Sequence, residues 1–283
     1  MIFQSRISKS AVAATVVLLA LNVAHAQPAG KEAAAASKEF TPEVGQAGKD
    51  VVWVPTPQTL VNKLLDMTKL TPKDILYDLG SGDGRTVITA AKRGARAYGI
   101  EYNPDMVELS KRNAAIEGVS DKATFEKADI FESDFSKATV ITLFLLPSLN
   151  MKLRPTLLNM KAGTRVAANS FDMGDWKPDQ TARVEGDCGA WCTAYLWIVP
   201  AKVEGAWKSA NGELTLKQEF QVISGTLRIG DKSLAISNGK LDGERIAFSV
   251  GAVQYSGRVN GDSIEGISNA GTAKTPWNAR RSK

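Results

Sequence analysis

The chain has 283 residues, of which 43% are hydrophobic and 23% are charged. This balance is typical of a soluble globular protein with room for one large and one small domain. The formal net charge is +5, but the basic residues form no run and no stripe with aromatic residues, so the sequence indicates no nucleic-acid partner. Two cysteines are too few for a four-thiolate zinc site.

Residues 1–26 have the parts of a secretory signal peptide: a basic start, an apolar core over residues 11–24 and the cleavage sequence Ala24-His25-Ala26. The core is shorter than the ~20 residues of a membrane-spanning helix. We therefore expect a periplasmic or secreted protein with no stable membrane span. An uncleaved amphipathic or anchoring segment is the alternative. Cleavage removes His25, the only histidine, so we expect neither a histidine-dependent catalytic group nor a metal site.

Composition divides the rest of the chain into three parts. Residues 27–50 are rich in Ala, Lys, Glu and Gly without apolar periodicity, which predicts a flexible linker. Residues 51–200 mix short apolar runs with helical spacing, whereas residues 201–283 are Gly-rich and alternating. We predict an α/β domain followed by a small all-β antiparallel domain.

The most informative stretch is I-L-Y-D-L-G-S-G-D-G-R, residues 75–85. Its first five residues form an apolar run typical of a central parallel strand, and a helical pattern begins at Arg85. The glycines between them allow a tight turn and close approach of a ligand, and the first N–H groups of the helix favour an anion. This is the first unit of a nucleotide-binding α/β sheet.

Glu101 ends a second predicted strand about 20 positions beyond the glycines, where an acid binds ribose hydroxyls in such sheets. The third glycine is Gly84, so the spacing is G-x-G-x-G, and Arg85 stands where a dinucleotide site needs glycine. NAD and FAD are therefore disfavoured.

The sequence D-L-G-S-G-D-G-R resembles motif I of the class I S-adenosylmethionine-dependent methyltransferases. V-P-T-P, G-I-E-Y-N, A-D-I-F and T-L-F-L-L-P-S-L-N extend the resemblance to protein-lysine methyltransferases related to the mitochondrial enzyme that modifies the ATP synthase c-subunit. It implies a Rossmann-like methyltransferase sheet with flanking helices, S-adenosyl-L-methionine as cofactor and a protein substrate. Export conflicts with a methyl donor made in the cytosol. Either the donor reaches the exported enzyme, or the signal is inefficient, or the fold binds something else.

The resemblance also implies site residues. The acid and glycine turn of motif I hold the methionine portion, Glu101 and its two successors hold the ribose side, and the acid of A-D-I-F binds the adenine amino group beside an apolar cover. The predicted cofactor site comprises Asp78, Gly80, Ser81, Gly82, Asp83, Gly84, Glu101, Tyr102, Asn103, Asp129 and Ile130.

The methyl acceptor is predicted to lie at the carboxyl end of the fourth strand, residues 138–144, where Leu146 and Pro147 would face it. Thr56 of V-P-T-P would touch the cofactor or the acceptor; alternatively, its neighbouring prolines only set the entry to a helix. L-L-P-S replaces the D/N-P-P-Y of enzymes that methylate nucleobase amines, which disfavours DNA adenine methylation.

The remaining elements follow from local signals. Asn103 before Pro104 is typical of a helix amino terminus. A fifth strand at 164–170 and an antiparallel pair, 181–184 with 192–199, complete the predicted sheet. Cys188 and Cys192 would bridge in an oxidising compartment; free thiols or a redox pair are the alternatives.

The carboxy-terminal residues predict an antiparallel β-meander or partial barrel, which could serve as a recognition module. Its hairpin signals are Asn211-Gly212, Asn238-Gly239, Asp242-Gly243 and Asn260-Gly261. No chemistry is visible in it.

The leading hypothesis is therefore an enzyme that N-methylates a protein lysine, or failing that a small molecule. Methyl transfer needs positioning and exclusion of water more than a base, so we assign no catalytic residue. The alternative is an exported, non-catalytic methyltransferase fold that binds a nucleoside-like ligand or an envelope partner. The sequence indicates no oligomeric state.

Overall fold

The computed structural model describes residues 40–186 and 188–282. The predicted signal peptide and the first part of the predicted linker lie outside the described residues. The helices are α1 (Gln58–Met67), α2 (Arg85–Lys92), α3 (Pro104–Ile116) and α4 (Pro147–Leu158). The first strands are β1 (Ile75–Leu79), β2 (Arg96–Glu101), β3 (Ala123–Lys127), β4 (Val140–Leu143), β5 (Arg165–Asn169), β6 (Gln180–Arg183) and β7 (Thr193–Ile198). The later strands are β8 (Gly205–Ser209), β9 (Gly212–Glu219), β10 (Val222–Ile229), β11 (Lys232–Asp242), β12 (Arg245–Val250), β13 (Val253–Asn260), β14 (Ser263–Ala270) and β15 (Ala273–Arg281).

The first seven strands form one sheet in the order β3-β2-β1-β4-β5-β7-β6. β1 to β5 are parallel, and the last two strands pair antiparallel at one edge. The central position of β1 follows from its apolar run, because a parallel strand covered by helices is shielded on both faces. The predicted Rossmann-like methyltransferase sheet is confirmed, including its antiparallel ending.

Helix boundaries follow from local chemistry. The side chain of Asn103 accepts a hydrogen bond from the backbone N–H of Asp105 at 2.9 Å, and Pro104 is the first residue of α3. This confirms the predicted helix start. α4 contains Pro155, as the sequence required. No helix among the described residues is both long and apolar enough to cross a membrane.

The carboxy-terminal domain is a closed barrel of eight strands, each antiparallel to the next in the chain. Closure comes from pairing of β15 with β8, in which Ala279 lies opposite Ser209. Trp207, Leu241 and Ile264 fill its core and are fully buried. The predicted all-β antiparallel domain is confirmed, but the barrel is closed rather than partial. Closure depends on two strands more than 60 residues apart, which no local turn signal encodes.

One hairpin prediction is wrong. Asn238-Gly239 lies inside β11 at a β-bulge, where the register with both neighbouring strands shifts. A Cβ at position 239 would lie 2.2 Å from the carbonyl oxygen of Ile223, so glycine serves close backbone packing there rather than a turn. The Asp242-Gly243 and Asn260-Gly261 signals do fall at strand ends.

Two further features go beyond the predicted division into a linker and two domains. Residues 45–50, assigned from sequence to the linker, form a small hairpin with the residues that follow, through a bridge between Ala47 and Val52. The barrel packs directly on the sheet domain: the side chain of Gln221 donates to the carbonyl of Lys177 at 2.8 Å, and the ammonium group of Lys240 lies 3.5 Å from a carboxylate oxygen of Asp179.

Candidate active site

A cavity of about 600 Å³ lies at the carboxyl ends of the parallel strands. Its walls are the hairpin at residues 45–53, the glycine turn after β1, and the segments that follow β2, β3 and β4. Phe171 and Trp191 close one end. Since ligands of open α/β sheets bind at this edge, the cavity is the candidate site.

The glycine turn forms a close-fitting part of the wall. Gly80 and Gly82 have φ values of +84° and +54°, and a Cβ at position 82 would lie 2.7 Å from Nε1 of Trp53. The turn is held from outside the cavity by α3, because Ser110 donates to the carbonyl of Gly82 at 2.8 Å. Glycine is thus required both for the backbone conformation and for space.

Glu101 is fixed to this turn. One carboxylate oxygen accepts the backbone N–H of Gly82 at 2.9 Å, and the other accepts the N–H of Asn103 at 2.9 Å. Each oxygen keeps a further lone pair for a ligand hydroxyl. The acid and the glycine turn are therefore one hydrogen-bonded unit.

Asp78 is buried at the end of β1 and accepts a hydrogen bond from Oγ1 of Thr142 at 2.6 Å. Burial, reinforced by the charges of Asp83 and Glu101, raises the pKa of Asp78 to about 7, against the opposing effect of the Thr142 hydrogen bond. The carboxyl group can therefore gain or lose a proton near neutral pH, and a nearby cation favours its ionised form.

Asp129 follows β3 at the opposite wall. It accepts the backbone N–H of Phe131 at 2.9 Å and forms an ion pair with Lys49 from the hairpin. The ammonium group of Lys49 also lies 4.8 Å from the centre of the Tyr102 ring. The hydrogen bond from Lys49 lowers the pKa of Asp129, so this acid is ionised at neutral pH.

Arg85 links the V-P-T-P segment, residues 54–57, to the glycine turn through hydrogen bonds and an ion pair. Its guanidinium pairs with the carboxylate of Asp83, with Nη2 2.5 Å from Oδ2, and donates to the carbonyl of Thr56 at 3.0 Å. Thr56 lines the cavity, and its hydroxyl oxygen accepts a weak hydrogen bond from Asn169 at 3.4 Å. The residue that excluded a dinucleotide site thus has a structural role here.

The opposite end of the cavity is aromatic. The ring centres of Phe144 and Phe171 are 6.1 Å apart, and Trp191 lies 5.7 Å and 5.4 Å from them. Leu146 and Leu149 extend this apolar lining. The end suits a hydrophobic chain rather than a charged group.

The structure brings most of the predicted site residues to one cavity. Those lining it are Asp78, Gly80, Ser81, Gly82, Asp83, Glu101, Tyr102, Asn103, Asp129, Ile130, Thr56 and Leu146. Their individual roles stay predictions.

Two predicted site residues are not among those that line the cavity. Pro147 is the first residue of α4 and is exposed. Gly84 precedes α2 with a φ of +83° and packs against Phe125, where a Cβ would lie 2.8 Å from the ring. Gly84 thus has a role in helix–sheet packing, and ligand contact by either residue stays a prediction.

The sequence reasoning missed the aromatic wall, the Thr142 partner of Asp78 and the contribution of the hairpin. Phe144 is the last residue of one predicted strand and Phe171 directly follows another, so the sequence already indicated that both lie at the ligand-binding edge of the sheet. Trp191 and Lys49 lie in segments whose placement no local pattern encodes.

An adenosyl sulfonium cofactor fits these residues. A glycine turn in which a Cβ would meet Trp53 and a carboxylate with free lone pairs beside it form one end of the cavity. Asp78, whose ionised form a nearby cation favours, can supply negative charge for a cationic ligand. The described residues hold no cluster of histidine, cysteine and acidic side chains placed for a metal ion.

A parallel sheet with this turn and these acids at one crevice defines the class of S-adenosylmethionine-dependent methyltransferases. Residues 78–180 match the family described as the ANTKMT methyltransferase domain. A protein-lysine N-methyltransferase of Saccharolobus islandicus is 40% identical over 152 residues, which are 53% of this chain and 94% of that protein. The chain therefore belongs to this methyltransferase family, whose cofactor is S-adenosyl-L-methionine.

Two further relatives show the breadth of the similarity. The human lysine N-methyltransferase named for the ATP synthase c-subunit is 34% identical over 128 residues, 45% of this chain and 54% of that protein. The crystal structure of an RNA methyltransferase from Salinibacter ruber, in complex with S-adenosyl-L-homocysteine, is 48% identical with a TM-score of 0.50. The similarity covers 53% of this chain and 96% of that one.

Proposed function

We propose that this enzyme transfers a methyl group to the side-chain nitrogen of a protein lysine. The observation that carries the proposal is the pairing, in one cavity, of a polar cofactor end with an aromatic end formed by Phe144, Phe171 and Trp191. A lysine side chain is a long aliphatic stem with a terminal amine, and it fits an apolar slot end-on.

The residues at the two ends have different tasks. When bound, S-adenosyl-L-methionine supplies a methyl group on a positively charged sulfur. Glu101 and the glycine turn position the ligand, and the apolar end excludes water. A lysine amine in dry surroundings has a lowered pKa and more readily enters as the neutral nucleophile. Positioning of this kind contributes roughly 7–11 kcal/mol at best, so no dedicated base is required.

An RNA acceptor is the second candidate, because the Salinibacter ruber protein is described as an RNA methyltransferase. The L-L-P-S sequence after β4 offers no acidic or amide oxygen to hold a base amine. The protein-lysine N-methyltransferase from Saccharolobus islandicus, which this chain covers almost completely, supports the lysine acceptor instead.

We further propose that the mature enzyme works in the periplasm or outside the cell. The bridge between Cys188 and Cys192 supports an oxidising compartment, since structural disulfides are rare in the cytosol. Fractionation of cells that express the full chain, with mass measurement of the product, tests this. Full-length protein found in the cytosol contradicts it.

The acceptor is tested by methyl-label transfer. Purified enzyme and labelled S-adenosylmethionine are incubated in parallel with an envelope-protein extract and with total RNA, using Glu101→Ala as the inactive control. We expect label in methyllysine after acid hydrolysis of the protein. Label confined to RNA nucleosides would replace the lysine proposal with the RNA one.

A further inference from the structure

The segment between β6 and β7 is a small covalently closed loop. Cys188 and Cys192 are joined by a disulfide across the sequence C-G-A-W-C, and both are buried. At the base of the loop, the backbone N–H of Val184 donates to the carbonyl of Cys192 at 2.9 Å. Inside it, the N–H of Trp191 donates to the carbonyl of Cys188 at 3.0 Å. The loop thus has one defined backbone path.

This closed loop presents Trp191 to the cavity. Its ring meets Phe144 at 5.7 Å with an interplanar angle of 64°, and Phe171 at 5.4 Å with an angle of 52°. Phe144 directly follows β4, Phe171 lies just beyond β5, and Trp191 lies just before β7. Because these strands are neighbours in the sheet, the three rings meet at its edge.

All three rings lie within two residues of a strand of the sheet, but the connection that carries Trp191 has the freer backbone. It contains Gly186 and Gly189, both with positive φ, and a Cβ at either position would meet no atom within 4 Å. Glycines in open surroundings leave a backbone conformationally free, so the disulfide acts together with the two backbone hydrogen bonds of the loop to restrain the ring.

We propose that Trp191 is a specificity-determining wall of the acceptor slot, and that the Cys188–Cys192 disulfide holds it there. The inference rests on the proposed lysine acceptor and deepens it. The rings of Phe144, Phe171 and Trp191 take the aliphatic stem of the lysine, and the cofactor end of the cavity is independent of the loop. Opening the disulfide therefore weakens acceptor use and leaves cofactor binding intact.

Reduction provides the first arm of the test. A dithiol such as dithiothreitol donates two electrons and two protons to the Cys188–Cys192 bond, leaving two thiols while the reagent becomes a cyclic disulfide. The full chain is labelled with 5-fluorotryptophan, and the ¹⁹F signal absent from Trp191→Phe identifies Trp191. We expect this signal to shift on addition of N-acetyl-lysine methylamide to the oxidised protein, and to broaden with loss of that response after reduction.

Kinetics with poly-L-lysine as acceptor provide the second arm. We expect Trp191→Ala and the double variant Cys188→Ser, Cys192→Ser to raise KM for poly-L-lysine about tenfold, with Trp191→Phe within about threefold of the wild type. The affinity for S-adenosyl-L-homocysteine, measured by calorimetry, should stay within about twofold. Circular dichroism and thermal unfolding show separately that each variant is folded.

The outcomes separate the two proposals. If poly-L-lysine is methylated and its KM is unchanged in Trp191→Ala or in the reduced protein, the proposed role of Trp191 and the disulfide is overturned. The proposed lysine acceptor then still stands. Loss of S-adenosyl-L-homocysteine binding in the folded double variant shows that the loop belongs to the cofactor end and overturns the proposed role of Trp191 as well. An oxidised wild type that binds S-adenosyl-L-homocysteine but methylates no lysine contradicts the proposed function, and the inference falls with it.

Discussion

The two ends of the cavity are built in different ways. At the cofactor end, carboxylates are held by backbone groups close by in the fold, as Glu101 is held by Gly82 and Asn103. At the acceptor end, three rings from three separate connections contact one another. The cofactor end depends on directional hydrogen bonds, and the acceptor end depends on side-chain packing. A substitution at the cofactor end should therefore change cofactor affinity, whereas one at the acceptor end should change the use of the acceptor.

The largest effect is expected for Glu101→Ala. The substitution removes the acid predicted to bind the ribose and leaves the N–H groups of Gly82 and Asn103 without their acceptor. A hydrogen bond to a charged group contributes about 1.5–3 kcal/mol, so calorimetry should show cofactor affinity reduced about 100-fold. Glu108→Ala on the exposed face of α3 is the control and should bind normally. Equal affinities for the two variants would contradict the assignment of Glu101.

Gly82→Ala tests the shape of the turn. The new Cβ would lie 2.7 Å from Nε1 of Trp53, on a backbone with a φ of +54°. We expect a loss of cofactor affinity of about tenfold. Gly118→Ala is the matched control, because Gly118 has a φ of +68° and open space around it. If both variants lose stability equally and neither loses affinity, backbone strain alone explains the need for glycine and the turn is not a binding surface.

The raised pKa of Asp78 predicts that both stability and cofactor affinity depend on pH. Its pKa of about 7 lies above its ordinary value of 3.8, so the folded protein keeps a proton that the unfolded chain has lost between about pH 4 and 7. Stability should therefore fall as pH rises through this window, by roughly 4 kcal/mol at most. A cationic ligand favours the ionised carboxylate, so affinity for S-adenosylmethionine should rise with pH and level off above about pH 7.

Asp78→Asn is the matching variant for both pH curves. Denaturant unfolding and calorimetry from pH 5 to 8 should show both dependences flattened. A wild-type binding curve that is already independent of pH would show that Asp78 does not change its ionisation when the cofactor binds.

The smallest effect concerns Lys49. Its ammonium group pairs with Asp129, the acid predicted to bind the adenine amino group, so the two compete for one carboxylate. We expect Lys49→Ala to increase cofactor affinity by about two- to fivefold, since exposed ion pairs contribute little. Lys111→Ala, which removes an exposed pair on α3, should change nothing. A weaker-binding Lys49→Ala variant would mean that the hairpin contributes to the site instead.

Most of the predicted cofactor end could be identified from local sequence patterns. The apolar run before the glycines, the acid at position 101 and the asparagine-capped start of α3 act over a few residues, because turn conformation, helix capping and strand burial are local effects. The antiparallel strand character of the last domain was likewise visible in its alternation and turn residues.

The other features of the molecule become visible only in three dimensions. Closure of the barrel joins β8 to β15, the aromatic wall joins the ends of β4, β5 and β7, and the 45–53 hairpin reaches the cavity across the sheet. These contacts depend on packing between segments far apart in the chain, and loop closure and side-chain packing leave no periodic signature at either partner. For the same reason, the motifs placed Pro147 and Gly84 near the site but could not show that these two residues do not line the cavity.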